Sequence, residues 1–258
     1  MLTHRNVNIA LFVTLGALLL VHYQWLSLPW WLFVLLSVPY VGVVAWGACT
    51  IESNFFMPVI CSVNTREKVV AITFDDGPQL KHTPQILDIL KQQAVPAAFF
   101  CIGRNIPDNE ELLQRIDTEG HVIGNHSYSH HFWFDMFGAK QMLAELKSVD
   151  DTVENVIGKR PLLFRPPYGV TNPNVRRAVQ RGKYTPIGWN IRSLDTVAKQ
   201  AEDVINKVTP LIKPGAVILL HDSMEVTLQA LPALIAYIRK EGYRIERIDK
   251  LLNIPAYA

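Results

Sequence analysis

Charge is the first thing missing. Between Arg5 and Glu52 the chain carries no Asp, Glu, Lys or Arg, a gap that the surface of a soluble domain does not show. At about 1.5 Å per helical residue and a hydrocarbon core of about 30 Å, the gap has room for two crossings. It divides at Gln24-Trp25-Leu26-Ser27, followed by Pro29-Trp30-Trp31. Tryptophans of this kind suit the headgroup interface, so we expect a transmembrane hairpin with spans at about 7–23 and 28–49. A cleavage site of small residues is also missing after Tyr23, which argues against a removed signal peptide. Gly47-Ala48 precede Cys49 as in a lipidated cysteine, but Trp46 and the late position fit that reading poorly. There is no basic run and the net charge is +2, so no nucleic-acid partner is expected. Cys49, Cys61 and Cys101 are odd in number and share no repeated spacing, giving neither a disulfide framework nor a zinc knuckle. No repeat or low-complexity tract occurs, and nothing marks a protein partner.

What is present is the composition of a folded domain, with 49% hydrophobic and 19% charged residues, outside the disordered range. Residues 1–50 are read as the anchor, 51–65 as a connector and 66–258 as the catalytic domain. In that domain β-rich runs at 69–74, 97–102, 121–124, 162–165, 185–189, 216–220 and 243–248 alternate with helical patterns. The helices are expected at 83–93, 109–118, 139–157, 173–181, 201–211 and 227–240. Asn172-Pro173 combines a capping side chain with a proline at the first helical position, and Gly182 and Gly242 stand where helices end. Alternating units predict an α/β fold, a distorted (β/α) barrel of about seven parallel strands with chemistry at their C-terminal ends.

Each unusual polar cluster follows an expected strand. Asp75-Asp76-Gly77-Pro78 places two repelling carboxylates on a turn, a repulsion relieved by a cation or a shared proton. In the segment 125–131, His126 and His130 converge on one ion if the chain makes a helical turn. Two imidazoles and a carboxylate form a metal set with room for water. Arg165-Pro166-Pro167-Tyr168-Gly169 fixes a turn and brings an Arg to a strand end, able to pair with a carboxylate across a barrel mouth. Leu220-His221-Asp222 ends an apolar strand, and an imidazole there is suited to general acid catalysis. Singly, each is also an ordinary loop or a satisfied structural histidine.

In order and together, these motifs resemble the polysaccharide deacetylase family, the NodB homology domain, over about residues 66–250. The likeness implies that Asp76, His126 and His130 hold a divalent metal, commonly Zn²⁺, with Co²⁺, Ni²⁺ or Mn²⁺ as alternatives. It implies that Asp75 is the general base, oriented by Arg165. The Tyr168 backbone N–H would stabilise the oxyanion, and Leu220 would line the acetyl pocket. His221 would protonate the departing amine, with Asp195 as its partner. The fourth motif departs from the pattern: Arg192-Ser193-Leu194-Asp195-Thr196 has Arg192 in place of an acid and Thr196 in place of an aromatic wall. An added Arg favours an anionic group such as a phosphate.

The expected activity is metal-dependent hydrolysis of the N-acetyl group of an amino-sugar glycan or lipid-linked saccharide. Rivals are a deformylase of a lipid-linked amino sugar and an inactive sugar-binding membrane protein. The expected setting is a bacterial-type inner membrane, the lipid bilayer being the one partner besides the N-acylated carbohydrate. Two crossings return the chain to its starting face. Arg5, with no Lys or Arg at 24–27, favours the cytoplasm, while wall-acting members of the family point outward.

Overall fold

The computed structural model describes residues 2–258. Two antiparallel helices come first, α1 (His4–Gln24) and α2 (Trp31–Cys49), both long and apolar enough to cross a membrane. Their pairing is pinned at both ends. Tyr40 Oη donates to Asn8 Oδ1 (3.0 Å), and at the turn Leu28 N donates to His22 Nδ1 (2.9 Å). The amide of His4 donates to the carbonyl of Phe55 (3.0 Å), so the start of α1 and the chain leaving α2 meet at the same end of the hairpin.

The remainder is a curled parallel sheet wrapped by helices. Its strands are β1 (Val69–Asp75), β2 (Ala98–Cys101), β3 (Val122–Asn125), β4 (Leu163–Phe164), β5 (Thr185–Pro186), β6 (Ile191–Arg192) and β7 (Ala216–His221), in the order β5-β4-β3-β2-β1-β7-β6. An eighth, β8 (Arg244–Ile245), pairs only with the start of β1. The helices are α3 (Thr83–Gln92), α4 (Glu110–Thr118), α5 (Ala139–Ile157), α6 (Pro173–Gly182), α7 (Ala201–Val208), α8 (Glu225–Lys240) and α9 (Ile248–Leu252). Alternation along each strand sorts the core. Val70, Ile72, Phe74, Ile218 and Leu220 face the helices, whereas Ala71, Phe100, Leu163 and Val217 fill the barrel interior.

Two expected strands come out differently. Of the run 185–189 only Thr185–Pro186 pair, as β5, and β6 forms beyond the run at the opposite edge of the sheet. Pro186 lacks the N–H that a central strand needs, and the chain from Ile187 crosses the open seam. Within 243–248 only two residues pair. Ile248 is buried in the barrel interior and opens α9 instead.

The seam between the β5 edge and the β7-β6 edge is bridged by the chain that leaves the hairpin. Ile60 N donates to Pro186 O (3.0 Å) and Gly188 N to Ile60 O (2.8 Å), while Val63 N donates to Gly215 O (3.0 Å). Phe55, Phe56, Met57, Val59 and Cys61 are all buried. Residues 55–63 therefore pack as a strap across the barrel.

Candidate active site

The register of the sheet assembles the site before any side chain is considered. Asp75 and His221 are the last residues of β1 and β7 and stand directly opposite each other. Asn125 ends β3 and Arg165 follows β4, on the other side of β1.

Asp76 turns out of the strand with φ 78°, Ser127 and His130 also have left-handed φ, and the rings of His126 and His130 lie 4.8 Å apart. No helical turn is made between the two histidines, contrary to the expectation; these positive-φ turns do the work. Ser127 Oγ accepts from His130 N (3.1 Å), Asn125 Oδ1 accepts from Ser127 N (3.0 Å), and Glu145 of α5 accepts from both the amide and the hydroxyl of Ser129 (2.7 and 2.8 Å). Asp76 Oδ1 consequently lies 3.7 Å from His126 Nε2 and 3.6 Å from His130 Nε2. One donor atom from each of the three falls within 4.8 Å of the others. His126 Nδ1 bonds the carbonyl of Arg165 (2.8 Å). A carbonyl only accepts, so the proton is on Nδ1 and the Nε2 lone pair faces the cleft. Burial and the neighbouring His130 push His126 down to about 3, and burial lowers His130 as well, against the pull of Asp76. Two neutral imidazoles and a carboxylate are the donor set that a divalent ion takes.

Asp75 is buried beside this group, its Oδ2 3.7 Å from His126 Nε2. Arg165 Nη1 donates to Asp75 Oδ1 (2.7 Å) and to Thr73 Oγ1 (2.8 Å), and Nη2 donates to Gly188 O (2.9 Å). The fully buried guanidinium lies 4.0 Å from the centroid of the Phe100 ring. Burial raises the pKa of Asp75 and the charge of Arg165 opposes that rise.

His221 is fixed on the opposite wall. Asp195 Oδ1 lies 2.7 Å from His221 Nδ1, and Asp195 Oδ2 accepts from His221 N (2.7 Å) and from Thr227 Oγ1 (2.6 Å). Burial alone would lower this imidazole. The hydrogen bond and charge of Asp195, aided by Asp75 and Asp76, outweigh it and lift His221 to about 9. Leu219, rather than Leu220, lines the cleft. Residues of one parity share a face of a strand, so Leu219 points with His221 into the barrel and Leu220 belongs to the core under the helices. Tyr168, at φ 58°, Trp189, Arg192 and Thr196 complete a cleft of about 240 Å³.

All the expected site residues except Leu220 thus meet around one cleft, with Arg165 and Asp195 behind it. Sequence reasoning missed Thr73, Glu145, Thr227 and Asp222. Thr73 has the parity of Asp75 in an otherwise apolar strand, a usable signal; Glu145 and Thr227 sit on helices and carry none. Asp222 accepts from Thr83 Oγ1 (2.6 Å) beneath the Gly77 turn, and burial raises it to about 7. A side chain at Gly77 would collide with that carboxylate, its Cβ falling 2.1 Å from Asp222 Oδ2.

The family model described as polysaccharide deacetylase matches residues 62–187. The peptidoglycan-N-acetylmuramic acid deacetylase PdaA of Bacillus subtilis is 35% identical over 193 residues, covering 73% of each chain. A peptidoglycan-N-acetylglucosamine deacetylase of Bacillus cereus is 35% identical over 210 residues, covering 76% of this chain and 93% of its own. The crystal structure of the Bc1960 peptidoglycan N-acetylglucosamine deacetylase superposes with a TM-score of 0.73 at 29% identity, over 78% of this chain and 95% of that one. On its strand order, the residues at its strand ends and these relatives, the chain belongs to the polysaccharide deacetylase family.

Proposed function

We propose that the protein is a membrane-anchored, metal-dependent N-deacetylase of an amino-sugar saccharide. The observation that carries this reading is the pairing, across adjacent strands, of a buried carboxylate and an imidazole held by a second carboxylate, beside an open donor set. Asp76, His126 and His130 would hold the metal. When bound, it supplies Lewis acidity toward the amide carbonyl and a lowered pKa for the attacking water.

The chain's own residues carry the protons. Asp75, held through Oδ1 by Arg165, takes a proton from water at Oδ2, and the water oxygen bonds the acyl carbon. The oxyanion that forms faces the backbone N–H of Tyr168. His221, held at Nδ1 by Asp195 and protonated at neutral pH, gives the Nε2 proton to the sugar nitrogen as the C–N bond breaks. Acetate and a free amine result. Leu219 offers the apolar contact that an acyl methyl takes.

Detergent-solubilised full-length protein should release primary amine from N-acetylated saccharides, lose that activity to a chelator and regain it with Zn²⁺. An N-formylated panel run alongside assigns the acyl group. Turnover by protein shown to be metal-free would overturn the mechanism. We place the catalytic domain on the side of the membrane that holds the N-terminus, a reading supported by the contact of His4 with Phe55, and that side is the cytoplasm. A cysteine introduced at Glu241, in a variant without the native three, should resist an impermeant maleimide until cells are permeabilised. Labelling in intact cells would refute the cytoplasmic side.

A further inference from the structure

The cleft does not end at the catalytic groups. A second cavity of about 230 Å³ adjoins it, and Tyr168, Trp189 and Arg192 line both. The far wall of the second cavity is the end of α2 and the residues after it, Cys49, Thr50 and Glu52. Because α2 is apolar to its last turn, the plane where headgroups replace hydrocarbon passes at this wall.

Hydrogen bonds tie the catalytic loops to that plane. Thr171 N donates to Ala48 O (3.0 Å), and the next residue, Asn172, donates from Nδ2 to Asp135 O (2.6 Å). Asp135 belongs to the loop after the metal-ligand histidines, and this loop turns Phe132, Trp133 and Met136 outward, 67%, 58% and 71% exposed. Phe132 touches the Tyr168 ring (6.2 Å between centroids). An apolar rim of this size, continuous with a membrane hairpin, is what an interfacial surface offers to lipid. Between the two cavities stands Arg192, exposed, its guanidinium making no hydrogen bond or ion pair among the described residues. The carboxylate on that wall, Glu52, forms no ion pair with it. A free guanidinium at a headgroup plane fits a phosphate in bidentate fashion.

We infer that the substrate is a saccharide joined through phosphate to a membrane lipid, entering sideways from the headgroup layer with its phosphate on Arg192. This rests on the deacetylase reading for the reaction and adds the class of molecule. It is tested with full-length, zinc-loaded protein in phosphatidylethanolamine–phosphatidylglycerol nanodiscs. One probe is N-acetylglucosamine on a polyprenyl diphosphate in the same disc, the other a water-soluble N-acetylglucosamine pentamer. Confinement to one bilayer raises the effective concentration, so the lipid-linked sugar should be deacetylated about ten-fold faster or more, and Arg192→Gln should shrink that advantage chiefly through KM. Equal or faster hydrolysis of the pentamer overturns the inference and leaves the deacetylase standing. Hydrolysis of neither probe defeats the deacetylase reading, and the membrane-facing mouth is then decided by a nitroxide at position 136. Relaxation by oxygen in preference to a water-soluble nickel chelate supports it, and the water-exposed behaviour expected of a control at position 241 overturns it.

Discussion

The two walls of the cleft are built in different ways. The wall bearing Asp76, His126 and His130 is shaped by backbone: three left-handed residues aim the donors, and the donor atoms stand 3.6–3.7 Å apart, too far to bond each other. The wall of Asp75 and His221 is shaped by side chains, each reacting group being held by a charged partner at 2.7 Å. On the proposed reading, one wall receives an ion and the other moves protons. Damage to the first should appear as lost metal, damage to the second as lost rate at full metal occupancy.

His126→Ala should be the most severe, abolishing bound zinc and activity together while the cooperative thermal transition survives. Zinc retained at the wild-type stoichiometry would break the comparison. Next, Asp75→Asn should lower kcat/KM about 100-fold or more with metal content unchanged; a matching loss of zinc would make Asp75 part of the metal wall. Glu145→Ala removes the clamp on Ser129 and should weaken zinc affinity about ten-fold, leaving the pH profile in place once zinc is saturating. The smallest effect sharpens the proton wall. kcat/KM should follow a bell in pH, falling at low pH as Asp75 is protonated and at high pH as His221 loses its proton near 9. Removing the anion lowers an imidazolium pKa, so Asp195→Asn should move the alkaline limb to lower pH. An unmoved limb would separate Asp195 from His221.

Much of this was legible in the chain because the chemistry sits at strand ends, where a polar residue interrupts an apolar run. Asp75, His126, Arg165 and His221 all announce themselves in that way. The hairpin was legible from an uncharged stretch alone. Hidden features depend on contacts distant in sequence. Leu220 was expected in the cleft, but strand parity gives that place to Leu219. The convergence of His126 and His130 depends on left-handed turns that no spacing specifies. The split of β5 from β6 follows from a seam that exists only once the sheet has curled. Glu145 is one of several acids on an amphipathic helix, distinguished only by what it meets.

The strap at residues 55–63 bears on how the catalytic domain can be isolated. Its backbone occupies the hydrogen-bonding positions that β5 and β7 would otherwise leave open. A soluble fragment begun at Arg66 would expose two unpaired strand edges and the apolar bed under Met57 and Val59, an invitation to self-association. A fragment begun at Thr50 keeps the strap and loses the two helices with their contacts to Phe55 and Thr171. The join between the helical hairpin and the sheet domain, as far as folding is concerned, therefore lies at the end of α2.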